Sequence, residues 1–200
     1  GPALKVKILD LQHGKDPSMT PPFKIRPISV GDVEACRQIY AHRILNESSS
    51  FETEAPTPQD FGARVEKIIS HYPWLVYEEG GQVLGYAYAD RFNPRAAYLW
   101  SVLTAVYIAP DAQGRGIGRK LYGQLIPLVE SLGYRSIFAG VTLPNERSVK
   151  LHESFGFKRA ALYEKAGFKF GEWRDVGWWQ LHMGQKTTPP PAIQKWDGTC

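Results

Sequence analysis

The chain has 200 residues, of which 43% are hydrophobic and 12% are aromatic; this composition excludes a chain that is disordered throughout and predicts one packed domain. A formal net charge of +4 is a modest excess over this length, and it argues against nucleic acid as a partner. No run reaches the ~18 apolar residues of a membrane span, and the start lacks the apolar block of a signal peptide, so we expect a cytoplasmic protein with no membrane partner.

The two ends of the chain are expected to lie outside the domain, which we assign to residues 23–184. Residues 1–22 are interpreted as a disordered or tag-derived extension, because the leading Gly-Pro resembles a protease-cleavage scar. Residues 185–200 contain a proline run and are predicted to form an extended tail. The two cysteines, Cys36 and Cys200, make neither a disulfide framework nor a metal site, so no metal is expected.

The first part of the domain is predicted to contain a strand and two helices. Residues 24–28 form the strand, and Ser29 is placed to begin a helix as its N-cap. Thr57 and Pro58 suit the N-cap and first turn of a second helix that runs to about Ser70. The apolar residues of the first helix recur at helical spacing: Val33, Cys36, Ile39, Tyr40 and Ile44.

Strands and helices then alternate. A hairpin at Gly80 and Gly81 joins WLVYEE to QVLGYAYADRF, and a further strand spans about residues 97–108. The strand SIFAGVT, the helix NERSVKLHESF and two β-prone segments, 158–163 and 175–183, complete the domain. This order predicts an α/β (α+β) fold in which helices cover both faces of one mixed sheet. The helix before SIFAGVT carries one apolar stripe: Ile117, Leu121, Leu125, Leu128 and Leu132.

The stretch that opens this helix is glycine-rich and reads QGRGIGRK, Gln113–Lys120. A strand that ends in such a turn leaves several backbone N–H groups free at the positive end of the helix, where an anion binds. The spacing fits neither a Walker loop, which needs a hydroxyl residue after the lysine, nor the dinucleotide fingerprint GxGxxG. A pyrophosphate against these N–H groups explains why side chains are absent; a solvated helix start with ordinary surface charges is the alternative.

The hexad QGRGIG resembles the Q/RxxGxG/A loop that holds the pyrophosphate of acyl-CoA in the GNAT acetyltransferases. In that superfamily an asparagine follows the next strand and a proton-donating residue lies seven positions later, which here are Asn145 and His152. LYEKAGFK, which contains Tyr163, looks like a second copy of this helix motif, but it lacks the asparagine and is interpreted as structural. The resemblance implies a single GNAT-type domain with a mostly antiparallel central sheet and acetyl-CoA as the cofactor. It also implies these cofactor-binding residues: Val106, Tyr107, Ile108, Gln113, Gly114, Arg115, Gly116, Ile117, Gly118, Arg119, Asn145 and Ser148.

Longer segments are similar to the phosphinothricin and methionine sulfoximine acetyltransferases, and the similarity spans nearly all of residues 24–183. They include FETEAPTPQ, HYPWLVYEE, LPNERSVKLHESFGF and AGFKFGEWRDVGWWQL. The similarity implies a homodimeric enzyme that acetylates the amino group of a small amino acid, by direct attack of the amine on the thioester. It implies that His152 and Tyr107 are catalytic, with His152 donating a proton to the CoA thiolate. Phe51, Arg95 and Leu103 are expected to lie at the substrate.

Leu103 is a departure from that family, which places a glutamate four residues before the tyrosine of the VY pair as the base for the substrate ammonium. A leucine cannot accept a proton, so we expect ordered water to relay it, with Glu52 and Asp90 as the alternative groups. The departure also leaves open a non-catalytic or altered-specificity acyl-CoA-binding protein on the same fold. A protein acetyltransferase and a nucleotide-binding protein are further alternatives.

Overall fold

The computed structural model describes residues 22–200, and the predicted extension at residues 1–22 lies outside them except for its last residue. In this part of the chain a seven-stranded sheet has the order β1-β2-β3-β4-β5-β7-β6; β4 and β5 pair in parallel and the other neighbours are antiparallel. The predicted mixed, mostly antiparallel sheet is therefore confirmed. The strands are β1 (Phe23–Pro27), β2 (Trp74–Glu79), β3 (Gln82–Arg91), β4 (Ser101–Ile108), β5 (Ser136–Leu143), β6 (Lys158–Lys169) and β7 (Glu172–His182).

Helices cover both faces of the sheet, as expected. Tyr107 on β4 packs against Tyr40, whereas Thr104 on the same strand hydrogen-bonds to Tyr122 at 3.0 Å. Residues three apart on a strand lie on opposite faces. We call these the α1 face, which α2 also covers, and the α3 face, which α4 also covers. The helices are α1 (Val33–Asn46), α2 (Pro58–Ile69), α3 (Ile117–Ser131) and α4 (Glu146–Ser154).

Local signals in the sequence set the starts of the first two helices. The Asp32 carboxylate accepts hydrogen bonds from the N–H and the hydroxyl of Ser29, at 2.8 and 2.9 Å, and a short 3₁₀ turn leads into α1. The hydroxyl oxygen of Thr57 accepts from the N–H of Asp60 at 3.1 Å, which caps α2. Thr57 is therefore the N-cap of α2 as predicted, whereas Ser29 is the N-cap position of the 3₁₀ turn and α1 itself begins after Asp32.

Two parts of the sheet differ from the predicted boundaries. β4 begins at Ser101 rather than near residue 97, because residues 96–98 form a 3₁₀ turn. β6 continues to Lys169 rather than ending near residue 163, and β7 begins at Glu172 rather than near residue 175, so that only Phe170 and Gly171 separate the two strands. β6 contains two register irregularities, which break the alternation by which a strand is recognised in a sequence.

The C-terminal segment 185–200 contains neither helix nor strand, but it packs back onto the domain. The N–H of Gln194 donates to the carbonyl of Leu132 at 2.8 Å, and the N–H of Trp196 donates to the carbonyl of His71 at 3.0 Å. The Trp196 side chain is 6% exposed and belongs to the main hydrophobic core. The segment is therefore part of the folded unit.

We expect Trp196→Ala to lower the free energy of unfolding by about 3 kcal/mol, as buried tryptophan truncations do. Urea denaturation measures the change, provided that the unfolding free energies of wild type and variant fall with urea concentration at the same slope. Lys195→Ala is the matched control, because Lys195 is the exposed neighbour in the same segment and its replacement changes stability by less than ~0.5 kcal/mol. An unchanged midpoint for Trp196→Ala would show that the docked segment adds nothing to stability.

Candidate active site

A cleft opens in the middle of the sheet, between β4 and β5. These strands pair at three positions, Ser101–Leu103 with Ser136–Phe138, and diverge beyond Leu103 and Phe138. The diverging segments and the starts of α3 and α4 line a cavity of about 370 Å³. The β4 residues beyond Leu103 therefore face the cleft on the side where β5 would otherwise pair with them.

The N–H groups of Val106 and Ile108 point into this cleft. The N–H of Ala109 donates to the carbonyl of Leu84 on β3 at 2.8 Å. Hydrogen-bonding direction alternates along an antiparallel strand, so residues 105 and 107 also bond toward β3. Three backbone positions were predicted to contact the cofactor. Val106 and Ile108 direct their N–H groups into the cleft, whereas the N–H and carbonyl of Tyr107 bond to β3.

The glycine-rich stretch forms the start of α3 and lines the same cavity. Gly116 is the N-cap with φ of 75°, and Gly114 has φ of 78°, a left-handed conformation that residues with a side chain rarely adopt. The first hydrogen bond of the helix runs from the N–H of Lys120 to the carbonyl of Gly116 at 3.1 Å. The N–H groups of Ile117, Gly118 and Arg119 thus have no acceptor within the helix and lie at its positive end, so the site fits an anion.

Four basic side chains line the cavity, three of them on α3 and α4 and the fourth, Arg43, on α1 over the Tyr107 ring. Arg119 was predicted; the other three were missed by the sequence analysis, although two of them lie in the first turns of the helix that follows Asn145. The guanidinium of Arg147 also donates to the side-chain carbonyl of Gln113, which links α4 to the glycine-rich stretch. The positive lining suits the several phosphate groups of coenzyme A. The four are Arg43, Arg119, Arg147 and Lys150.

Arg115 is turned away from this cavity. Its guanidinium donates to both carboxylate oxygens of Glu79, at 2.7 and 2.6 Å, and this pairing lowers the pKa of Glu79. Lys120 also points elsewhere, with its ammonium 4.3 Å from the centre of the Phe23 ring. The side chain of Arg115 therefore ties the loop to β2, and a cofactor role for this residue stays a prediction.

Asn145 and Ser148 shape the start of α4. The side-chain oxygen of Asn145 accepts from the N–H of Ser148 at 3.1 Å and caps the helix. The carbonyl of Ser148 is 2.7 Å from Nδ1 of His152 and can only accept, so Nδ1 carries the proton. The two predicted residues thus fix the helix start and the ring orientation of His152.

His152 lies at the deep end of the cavity and is 3% exposed. With the proton on Nδ1, its Nε2 accepts from the hydroxyl of Tyr122 at 3.0 Å, and the Tyr122 oxygen in turn accepts from the hydroxyl of Thr104 at 3.0 Å. Burial lowers the pKa of His152 and raises the pKa of Tyr122, so both are neutral near pH 7. Tyr122 was missed because it adjoins the apolar stripe of α3; a buried tyrosine hydroxyl that needs a partner was the available signal.

Tyr107 and Glu52 lie on the α1 face. Tyr107 packs against Tyr40 at a ring-centre distance of 5.2 Å, and burial raises its pKa to about 12. The Glu52 carboxylate accepts from both terminal nitrogens of Arg64, at 2.6 and 2.9 Å, and from the hydroxyl of Tyr40. The hydrogen bonds from Arg64 lower the pKa of Glu52, so this carboxylate is a weak proton acceptor.

The three predicted substrate residues do not line the cavity. The ring of Phe51 lies against Gly167 of β6, where an added side chain would overlap it. Arg95 is exposed in the connection between β3 and β4. Leu103 lies at the closed end of the cleft, paired with Phe138 on one side and with Asp90 on the other. Their substrate roles stay predictions.

Tyr163 is on β6 rather than on a helix, is 52% exposed, and lies 6.0 Å from the Trp178 ring centre. Tyr163 does not line the cavity, and its interpretation as structural stays a prediction. Of the two similar motifs, the one that contains His152 forms the helix beside the cleft.

A family model described as an acetyltransferase (GNAT) domain matches residues 25–178. The chain belongs to the GNAT acetyltransferase family. A phosphinothricin N-acetyltransferase from Streptomyces viridochromogenes is 39% identical over 171 residues, which cover 86% of this chain and 93% of that protein. An L-methionine sulfoximine/L-methionine sulfone acetyltransferase from Salmonella typhimurium is 32% identical, with 82% of this chain and 97% of that protein covered.

A solved GNAT structure has the same fold. It is a phosphinothricin acetyltransferase from Sinorhizobium meliloti in complex with acetyl-CoA, which is 31% identical and superposes with a TM-score of 0.80 over 90% of this chain and 96% of its own. The predicted GNAT fold and the predicted resemblance to phosphinothricin and methionine sulfoximine acetyltransferases are confirmed by these matches.

Residues 22–200 contain neither a membrane-crossing helix nor a cluster of metal-ligating side chains. In this range no helix has both the length and the apolar character that crossing a bilayer requires. No group of three or more histidine, cysteine, aspartate or glutamate side chains in this range is arranged to hold a metal ion.

Proposed function

We propose that this GNAT protein is an acetyl-CoA-dependent N-acetyltransferase that acetylates the amino group of a small amino acid of the phosphinothricin or methionine sulfoximine type. The observation that carries the proposal is the cleft between β4 and β5, which joins an anion site at the start of α3 to the buried His152. Acetyl-CoA, when bound, supplies the acetyl thioester. The two kinds of relative named above support the substrate class.

The cofactor's phosphates fit the start of α3. The N–H groups of Ile117, Gly118 and Arg119 are free to donate, and Arg147 and Lys150 add positive charge from α4. Asn145 and Ser148 hold α4 in place beside this site. The N–H groups of Val106 and Ile108 are directed at the cleft, where donors of this kind stabilise negative charge on a thioester carbonyl by roughly 3 to 4 kcal/mol.

His152 and Tyr122 hold the proton that the CoA sulfur needs when it leaves. The thiol of CoA has an intrinsic pKa of about 8.5, by analogy with cysteine, so its sulfur leaves the acetyl group more easily when it is protonated. The Tyr122 hydroxyl lies in the cavity lining and is hydrogen-bonded to Nε2 of His152, so the pair can release a proton into the cleft and recover one. Tyr107 closes the α1 face of the same strand.

A thiol-release assay with acetyl-CoA tests the function. The panel contains phosphinothricin, methionine sulfoximine, methionine sulfone, ordinary amino acids, a polyamine and a peptide. We expect turnover with the first three compounds. Turnover confined to the polyamine or the peptide would overturn the substrate class, whereas cofactor binding without any turnover would support a non-catalytic acyl-CoA-binding protein, the alternative that Leu103 motivates.

The homodimer belongs to the same proposal. Four large side chains at the β6–β7 hairpin are between 52% and 63% exposed, and β6 is an edge strand of the sheet. An apolar surface of this kind favours association with a second copy. We call these residues the hairpin patch: Tyr163, Phe168, Phe170 and Trp173.

We expect Trp173→Ser to convert the dimer to a monomer in light scattering coupled to gel filtration, because Trp173, at 63%, is the most exposed residue of the hairpin patch and lies beside Phe168. Val30→Ser is the control, since Val30 is 94% exposed and lies far from the hairpin in the chain. A wild-type chain that elutes as a monomer at micromolar concentration would contradict the proposed dimer.

A further inference from the structure

The proposed reaction needs a proton acceptor on the α1 face. The amino group of an amino acid has a pKa near ~9 to 10 and cannot attack a carbonyl while it is protonated. The cofactor's phosphates fit the α3 face, so the α1 face is the side from which the amine reaches the cleft. Leu103, at the closed end of the cleft, has no group that accepts a proton.

The register of the sheet brings a carboxylate next to this leucine. Asp90 on β3 is directly opposite Leu103 on β4. Residues opposite each other in an antiparallel pair have their side chains on the same face, with Cβ atoms about 4.5 to 5.5 Å apart. Tyr86 and Tyr107, four residues along each strand, confirm this register and face, because their rings lie 5.4 Å apart.

We infer that Asp90 takes the proton from the ammonium group of the substrate, and this role rests on the proposed function. Its carboxylate stands one strand away from the closed end of the cleft, on the face that carries Tyr88 and Tyr107. The register therefore favours Asp90 over the water relay that the sequence analysis expected.

The hydrogen bonds of the two candidate carboxylates, Glu52 and Asp90, distinguish their roles. Glu52 is held by Arg64 and Tyr40. Among the described residues Asp90 accepts one hydrogen bond, from the N–H of Arg91 to Oδ1 at 2.7 Å, which leaves Oδ2 available. Asp90 thus has an oxygen without a hydrogen bond to offer to an incoming ammonium group, whereas both oxygens of Glu52 already accept hydrogen bonds.

The surroundings of Asp90 increase its basicity. It is half-buried, and burial raises its pKa above the ordinary value for aspartate, against the opposing effect of Arg91 and of Lys67 on α2. Tyr88 also faces it from its own strand. Phe92, two residues further along, stacks on Phe138 of β5 at 4.3 Å and covers the closed end of the cleft with apolar surface. A carboxylate in such surroundings favours its protonated form and so accepts a proton more readily.

The proton balance of this step is simple. The ammonium group gives one proton to the Asp90 carboxylate, and the neutral amine forms the new C–N bond as the C–S bond breaks. The sulfur takes a proton from the His152–Tyr122 pair, and the second proton lost by the nitrogen returns to that pair. Asp90 passes its proton to solvent, so each acetylated ammonium releases one proton.

The test is the pH dependence of kcat/KM for methionine sulfoximine, with Asp90→Asn compared with wild type. In the wild type, kcat/KM rises as Asp90 loses its proton and is then flat up to the pKa of the amine. Asp90→Asn should lower kcat/KM at pH 7 by ~100-fold or more. It should also replace the flat region with a tenfold rise per pH unit, because only the neutral amine then reacts. Asp60→Asn, an exposed aspartate on α2, should leave the profile unchanged.

Three further measurements make the result specific to Asp90. Calorimetry should give the same Kd for acetyl-CoA in the wild type and in Asp90→Asn. NMR titration of the Asp90 carboxyl carbon in the protein alone should give a pKa above the usual range for aspartate. The double variant Asp90→Asn/Leu103→Glu should regain the flat profile, because it returns a carboxylate to the neighbouring strand.

An Asp90→Asn variant with wild-type kcat/KM and a flat profile would overturn this role while the proposed function stands. A wild-type chain that binds acetyl-CoA and acetylates no compound of the panel would overturn the proposed function, and the role with it. If Asp90→Asn does not fold, Asp90→Ser replaces it, since a hydroxyl can also accept from the N–H of Arg91.

Discussion

Tyr122→Phe should lower kcat for the acetylation of methionine sulfoximine by about 100-fold, within the range that positioned proton donors contribute. The substitution removes one oxygen, which accepts from Thr104 and donates to Nε2 of His152. His152→Ala should lower kcat by a similar factor, because the variant lacks the imidazole that shares a proton with the Tyr122 hydroxyl. Since the two groups act as one unit, the double variant should be little worse than either single variant.

Tyr134→Phe is the matched control, because Tyr134 is also buried but lies outside the cavity lining. Its kcat should equal that of the wild type. Steady-state kinetics at saturating acetyl-CoA, together with the thermal unfolding midpoint of each variant, distinguish loss of chemistry from loss of fold. Effects of Tyr122→Phe and His152→Ala that simply multiply in the double variant would argue against a shared proton.

Gly118→Asp should weaken acetyl-CoA binding by about 100-fold or more. Gly118 lines the cavity at the start of α3, and a Cβ there would lie 3.2 Å from a methyl carbon of Leu151. A carboxylate at this position competes with the phosphate groups for the same N–H donors. Two like charges about 4 Å apart near a protein surface repel by ~4 kcal/mol, which is more than the predicted loss requires.

Gly123→Asp provides the comparison on the same helix. A Cβ at Gly123 meets no atom within 4 Å, and Gly123 lies outside the cavity at the cleft. Isothermal titration calorimetry with acetyl-CoA should therefore give a wild-type Kd for Gly123→Asp. Equal affinities for the two variants would mean that the phosphates do not bind at the start of α3.

The features that could be predicted from the sequence are those set by residues close together in the chain. The caps at Ser29 and Thr57 and the hairpin at Gly80 and Gly81 depend on contacts within a few residues. The glycine-rich turn before α3 is of the same kind, because the left-handed backbone at Gly116 is a local requirement. For the same reason the free N–H groups at the start of this helix could be anticipated.

The rest of the site depends on contacts between distant segments. Arg115 adjoins the loop in the sequence but pairs with Glu79, which is 36 residues away. The sequence could name Asp90 as one of several carboxylates, but only the register of β3 and β4 brings it opposite Leu103. The hydroxyl of Tyr122 indicates that a partner is needed, but only the position of α4 identifies that partner as His152. Strand register and helix placement are set by tertiary packing, which a single sequence does not encode locally.

The divergence of β4 and β5 also links the stability of the protein to its cofactor. Within the sheet, the backbone groups of Val106 and Ile108 have no neighbouring strand on the cleft side, and coenzyme A carries amide groups of its own that can occupy this space. A ligand that binds only the folded chain stabilises it by about 2.7 kcal/mol at a concentration of 100 times Kd. The thermal midpoint will therefore rise with the concentration of acetyl-CoA, and the cell's supply of this metabolite will help to determine how long the folded enzyme survives.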